Sequence, residues 1–380
     1  MNSIRLALKA LREEILEFRF AYPLEVVGQA GPRESLHYYL YSDKFSWSVM
    51  RMDASGVPRA WRRLYGEVYK AAFIAWWGLV NLEHHLRHGD TPAREAFMRQ
   101  IDWLDGHAVI GSDGSVVWPN QYDLLEGDTL LMAPWVSAYD QGMVISALVR
   151  GYRMTGRPRL LGLLRGAHRI FEISTRDGGV RAAAPRGVVY LEHPGGPTPG
   201  VLDGFLTSLL GLYDLWVETG DSKVESLFRE GIAGLKSFLP VWDYHQKWSW
   251  YATREYLCPP TYHVINRSLL RVVAGLAGEP DLVAQAERWN PDSLSATDRL
   301  EIYFGFQVTK NWSRVRHRTW RQSKERIEVL SRQAAGNLPL RNASKYFHGT
   351  EGVIRVERKM LPPVRTSQER NQGISRNFRD

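Results

Sequence analysis

Residues 201–223 read VLDGFLTSLLGLYDLWVETGDSK. Apolar side chains recur at intervals of three and four, as in Leu206, Leu209, Leu210 and Tyr213, where a strand would alternate. The run stops at Gly220, a residue free to take the left-handed turn that closes a helix, and a second run begins at Ser222. The stretch reads as a helix, a tight turn and another helix.

The same punctuation recurs along the chain. Glycines at 89, 156, 220 and 278 each follow one apolar-periodic run and precede another, and Pro158 and Pro280 suit the first turn of the helices that follow. The period of roughly sixty residues predicts helical hairpins, with first helices over 65–86, 136–154, 199–218 and 262–276. Second helices are expected over 92–104, 158–173, 222–239 and 281–289, and two more over 295–309 and 315–332. Hairpins that cannot bury their apolar faces alone stack into a solenoid or close on themselves. The expected fold class is all-α, an α/α toroid over 57–310. It is preceded by an N-terminal helix and lead-in segment (1–56) and followed by a basic tail (311–380).

The connectors between hairpins are long, over 106–135, 174–198 and 240–261, and long connectors in a compact domain usually carry function. In an up-and-down array they emerge at one end. They hold Trp118, Tyr122, Asp123, Glu126, Tyr190, Glu192, His193, Trp248, Trp250, Tyr251, Arg254 and Tyr256. Aromatic, acidic and cationic groups around one mouth suit a carbohydrate better than a nucleotide, and no phosphate-cradling loop motif occurs.

Composition narrows the classes further. Fourteen Trp, 17 Tyr and 13 Phe give 12% aromatic residues, as fits a deep core or a sugar-stacking groove. A single cysteine, Cys258, excludes a disulfide framework or a four-cysteine metal site. No run of eighteen apolar residues suggests a membrane span, and residues 1–22 mix Arg, Lys and Glu among their apolar residues as an amphipathic helix does, so a cytoplasmic protein is expected. Residues 311–380 hold 16 basic and 6 acidic side chains, so the whole positive excess of the chain lies in the tail. No nucleic-acid-reading module accompanies it.

Two stretches carry a family likeness: PWVSAYDQGMVISALVRGY (134–152), which includes Gln141, and VLDGFLTSLLGLYDL (201–215). Both resemble the C-terminal helical domain of the D-glucuronyl C5-epimerases, enzymes that convert D-glucuronate to L-iduronate within heparan-type polysaccharides. Residues 68–86, 97–103 and 114–119, the Tyr-x-x-Arg of Tyr251 and Arg254, and the Tyr-His of Tyr262 and His263 extend the resemblance over about 57–290. It implies a uronate C5-epimerase acting on an anionic glycan, without cofactor or metal; assembly stays open, with a homodimer among the alternatives. Three departures accompany it. The β-domain of the animal enzymes is missing between Leu86 and Phe97, as in a bacterial-type form. The family's Tyr-Glu-Glu-Tyr-Pro box reads Tyr190-Leu191-Glu192-His193-Pro194, and Asn266 stands where a histidine is expected.

Inverting a uronate at C5 removes a proton α to a carboxylate and returns one on the other face. The carboxylate needs a cation, and the ring needs acid–base groups on both sides. Under the resemblance, Glu192, His193, Tyr251 and Tyr262 are the catalytic candidates, with Glu192 or His193 opposing Tyr262. Arg254, His263, Tyr190, Gln141, Trp118 and Trp250 are the substrate-binding candidates. A polysaccharide lyase begins with the same proton abstraction, and a non-catalytic glycan-binding protein is a further alternative. A glycosidase would need a second acid, for which Asp123, Asp140 and Asp203 are equally eligible. The confined charge of the tail makes one prediction. Truncation after Gln333 should raise KM for a uronate polymer at low salt and leave kcat nearly unchanged in steady-state assays.

Overall fold

A computed structural model of the chain describes residues 24–26, 35–42, 50–62, 65–126 and 129–321. The helix expected over 1–22 and the tail beyond Arg321 lie outside the described residues.

The fold is mostly helical. Four hairpins follow one another: α1 (Ala71–His88) with α2 (Thr91–Gly106), α3 (Ala138–Thr155) with α4 (Pro158–Ala167), α5 (Leu202–Thr219) with α6 (Ser222–Trp242), and α7 (Pro260–Ala277) with α8 (Pro280–Arg288). A ninth helix, α9 (Ala296–Arg321), follows. The four first helices are each 18 residues long. Each ends on its turn glycine in the left-handed region, with φ of 69° at Gly89, 66° at Gly156, 67° at Gly220 and 70° at Gly278. There a side chain would be strained, which is why glycine marks all four turns.

The first helices pack in series, α1 on α3, α3 on α5 and α5 on α7, and each second helix packs on its own partner. The α3–α5 crossing is the tightest. A Cβ on Gly142 would lie 2.5 Å from Ser208 Cα, and one on Gly211 would lie 2.4 Å from Gly142 O. Small residues here let two backbones touch. Beyond this crossing the buried Arg150 on α3 donates to Asp214 Oδ2 on α5 (2.7 Å), and Tyr39 OH donates to Asp214 Oδ1 (2.7 Å). Arg150 also donates to the carbonyl of His37 at 3.0 Å, so residues 35–42 are strapped across the inner helices.

Several boundaries differ from the sequence reading. Helix α1 starts at Ala71 and not at 65, because Gly66–Val68 is a strand paired with Pro58–Arg62, itself paired with Met50–Met52. The all-α expectation is corrected to this extent: a three-stranded antiparallel sheet precedes the first hairpin, and its last two strands fall inside the span assigned to the helical array. The connectors are built on short antiparallel strands, Val109–Ile110 with Val116–Val117, Leu124–Glu126 with Thr129–Leu131, Arg181–Ala183 with Val188–Tyr190, and Asp243–Tyr244 with Trp248–Tyr251 and Tyr256–Leu257. Helix α4 stops at Ala167, short of 173, passing into a 3-10 turn at Arg169–Phe171. Helix α6 runs through Pro240, and α9 is one helix where two were expected. No helix among the described residues is long and apolar enough to cross a membrane.

The α3–α5 crossing gives a test of the packing. Gly142→Ala must push its methyl against the α5 backbone, a strain that costs about 1–3 kcal/mol. Urea unfolding should show that loss, while alanine at Gly162, where a Cβ would meet nothing within 4 Å, should cost nothing measurable.

Candidate active site

The first turns of all four inner helices line one cavity of 420 Å³: Lys70 at the start of α1, Tyr139 on α3, Asp203 on α5, and Thr261 with Tyr262 on α7. One or two turns further along the same helices come Phe73 and Trp76, Met143, Thr207, and Ile265 with Leu269. The inner helices therefore present their N-terminal ends to a common space. Their turn glycines lie a helix length away, about 27 Å at 1.5 Å per residue. Tyr38 and Leu40 of the strapped segment also line the cavity.

Charge is concentrated here. The buried Lys70 ammonium lies 3.6 Å from Asp140 Oδ1 and 3.6 Å from Glu192 Oε1, with the Tyr139 ring centroid 5.1 Å away. Burial works against its charge, but the two carboxylates outweigh that and hold its pKa above the ordinary lysine range. Asp140 is held in turn: Asn120 Nδ2 donates to its Oδ2 at 2.7 Å, and its backbone N–H meets the Ser137 cap at 3.4 Å. Glu192 rests on α5 at Gly204, where a Cβ would lie 2.5 Å from Glu192 Oε2. Only a glycine there admits the carboxylate. His193 Nε2 is 3.6 Å from Glu192 Oε1, and its ring lies 6.0 Å from that of Trp135. Arg62 adds a second cation to the wall, its guanidinium 5.3 Å over the Tyr122 ring.

The remaining acid–base groups are set by desolvation. Asp203 is pushed up to about 7, first by burial and then by the charge of Glu192. Tyr262 is pushed up to about 12, again by burial and then by Asp203 and Glu192. Tyr251, whose ring meets that of Tyr262 edge-on at 5.6 Å, is likewise raised by burial. Both phenols therefore hold their protons at neutral pH.

Of the ten residues singled out from the sequence, the four catalytic candidates, Glu192, His193, Tyr251 and Tyr262, share this cavity. The six substrate-binding candidates are placed elsewhere. Tyr190 is buried between Phe171 and Phe205, its hydroxyl donating to Leu227 O at 2.8 Å. Trp118 is buried with Nε1 donating to Leu104 O at 2.7 Å, and Gln141 donates to Val116 O and Ala167 O. Trp250 packs edge-on against Tyr244. Arg254 is exposed in a left-handed turn (φ 59°) and donates to Pro240 O and Val241 O. His263 accepts from Ser249 N–H at Nδ1 and donates from Nε2 to Trp289 O, stacked on Trp248 at 3.5 Å. Burial depresses it to about 3, so it is a neutral anchor for the start of α7.

Lys70, Arg62 and Tyr139 were not read from the sequence as site residues. For Lys70 a signal exists: a lysine directly before the apolar run AAFIAWW sits at the positive end of a helix, where it needs carboxylates nearby. Among the described residues no group of three or more His, Cys, Asp or Glu is arranged to hold a metal ion.

Inner-helix starts around a carboxylate- and tyrosine-lined cavity define a helical-hairpin domain with an acid–base site of a size suited to a polar ring. Residues 112–291 match the model of the family described as D-glucuronyl C5-epimerase C-terminus. A D-glucuronyl C5-epimerase of Caenorhabditis elegans is 31% identical over 212 residues, 51% of this chain and 34% of that protein. An uncharacterized protein of Methanocaldococcus jannaschii is 26% identical over 159 residues, 41% of this chain and 51% of that one. The chain thus spans about a third of the first relative's length and half of the second's. The crystal structure of a sugar epimerase from a ruminal bacterium aligns over 58% of this chain and 57% of that one, at 13% identity and a TM-score of 0.36. Arg62 and Lys70 lie outside the family-matched stretch.

The Asp203 environment has a measurable consequence. Its proton is bound more tightly in the folded chain than in the unfolded one, so its contribution to stability is full below the ordinary value of 3.8 and is lost as pH rises through about 7. Asp203→Asn should match the wild type in urea unfolding at pH 4 and exceed it at pH 8, by a few kcal/mol at about 1.4 kcal/mol per pH unit.

Proposed function

We propose that this chain is a uronate C5-epimerase that converts D-glucuronate to L-iduronate units in an anionic glycan, on an α/α toroid formed by its helical hairpins. The observation that carries the reading is the convergence of Glu192, His193, Tyr251 and Tyr262 on one cavity that also holds the Lys70 ammonium. The match of residues 112–291 to the epimerase family model supports it.

The roles follow from the charges. The substrate carboxylate lies towards Lys70 and Arg62, which stabilise the extra negative charge that develops when the C5 proton leaves. His193 accepts that proton, and Glu192 beside it stabilises the imidazolium. Tyr262, which retains its phenolic proton at neutral pH, returns one to C5 from a different element of the fold, with Tyr251 packed against it. The donor and acceptor then differ in kind, His on one side and Tyr on the other.

The test is deuterium incorporation at C5 when a glucuronate polymer is incubated in deuterated water, followed by NMR. Exchange without growth of ultraviolet absorbance establishes epimerisation; absorbance growth signals a lyase; no exchange with any uronate polymer removes the reading. His193→Ala and Tyr262→Phe should each lower the exchange rate about 10²–10⁴-fold, the range of acid–base catalysis. Glu192→Gln should lose less than His193→Ala, and Arg254→Ala should leave the rate within a few-fold of wild type.

A further inference from the structure

The cavity is polar at one end and apolar at the other. The residues that can carry charge near neutral pH, Arg62, Lys70, Glu192, His193 and Asp203, lie at helix starts, on the strand before α1 or in the connector that leads into α5. Phe73, Trp76, Met143, Thr207, Ile265 and Leu269 lie further along the inner helices, roughly 5–10 Å deeper at 1.5 Å per residue. Of these, Trp76, Met143, Thr207 and Leu269 are buried, as is Leu40, which lines the cavity from the strapped segment. Tyr38 OH donates to Met143 Sδ at 3.6 Å, which holds the thioether at this depth. Among the described residues the floor of the cavity therefore carries no charged side chain, and a hydroxyl, that of Thr207, stands among apolar groups.

A uronate ring held at the helix starts leaves this floor unfilled, because the substituents of that ring are hydroxyls, a carboxylate and glycosidic oxygens. A ligand that fills both ends joins an anionic sugar to a compact apolar group. We propose that the floor binds the N-acyl group of an amino sugar linked to the uronate, with the acyl methyl among Trp76, Met143 and Leu269 and the amide carbonyl accepting a hydrogen bond from the Thr207 hydroxyl. The inference rests on the reading of the cavity as a uronate site. An acyl amide suits the floor in kind: it is apolar at its tip, has a polar atom to satisfy and carries no charge. An alkyl aglycone would fill the apolar part and leave the hydroxyl facing carbon. An N-sulfo group would carry a negative charge past Lys70 and Arg62 into the part of the cavity that lacks a cation to meet it, and burying an unpaired charge is costly. A free amine would bring a positive charge into the same apolar surroundings. The floor thus selects the substituent beside the uronate, while the groups at the helix starts handle the uronate itself.

The test compares three oligosaccharides of one backbone, glucuronate alternating with N-acetylated, N-sulfated or N-unsubstituted glucosamine, in the deuterium-exchange assay. The N-acetylated chain should show kcat/KM about 10²-fold above either of the others, the scale on which an apolar pocket discriminates. Thr207→Val should lower kcat/KM for the N-acetylated chain about 5–10-fold, the worth of one hydrogen bond, and leave the unsubstituted chain unchanged, whereas a merely structural defect lowers both. Thr207→Ser should restore the loss. Saturation-transfer NMR on the wild type reads the same contact without turnover and decides the matter should the Thr207 variant fail to fold: the acetyl methyl should receive the strongest transfer of any ligand proton. Equal or faster exchange with the N-sulfated chain, a folded Thr207→Val that slows both chains alike, an acetyl methyl without transfer, or a short alkyl glucuronide that binds as tightly as the N-acetylated disaccharide would each overturn the proposal. The first two leave the epimerase reading standing. Transfer to the acetyl methyl with no exchange on any chain has the opposite sense, removing the epimerase reading and supporting the assignment of the floor.

Discussion

Burying the Lys70 ammonium at the head of a helix is unfavourable twice over, since it leaves water and faces the positive end of the helix dipole. Two carboxylates at 3.6 Å offset this, and they come from separate stretches of chain: Asp140 from α3, and Glu192 from the connector that leads into α5. The dependence is mutual. Asp140 Oδ1 is buried and has no hydrogen-bond partner, so Lys70 is the group that balances it. Three segments are thereby registered on one charge, and the polarity of the cavity is fixed by the packing that closes it.

The frame was legible because its signals are local. A glycine that ends an apolar run must take a left-handed turn, and all four did so within two degrees of φ 68°, at 66°, 67°, 69° and 70°. The strands over 50–68 were not legible. Their pairing depends on short segments whose periodicity is too brief to read, with Gly66 turning in the left-handed region at φ 75°. The site divides along the same line. Glu192, His193, Tyr251 and Tyr262 could be chosen because they sit in connectors or helix starts that the array brings to one end. Trp118, Gln141 and Tyr190 could not be told from site residues, because an indole, an amide and a phenol that suit a sugar also suit a buried carbonyl, and here each meets one. Arg254 is exposed for a backbone reason, a left-handed turn that places its guanidinium against Pro240 O.

Desolvation gives the cavity a definite protonation pattern before any ligand arrives. Tyr262 and Tyr251 are kept neutral, Asp203 is held near the point of sharing its proton, and Lys70 is kept charged by its carboxylates. Groups of the same type thus differ by their neighbours. Burial and the charge of Glu192 raise both Asp140 and Asp203, and at Asp140 the Lys70 charge and the Asn120 hydrogen bond pull against that shift.

The equal length of the four inner helices has an evolutionary consequence. Each supplies its cavity residues from the first turn and its stop from a glycine at the far end, so helix length and side-chain bearing are locked together. One inserted residue would swing a first-turn side chain by about 100° and move it off the cavity wall. The connectors and the segments that flank the hairpins are the places where length can change, because loops there can grow without turning any helix. Such a scaffold exchanges specificity by replacing rims around an unaltered set of helices, so that divergence in ligand can outpace divergence in frame.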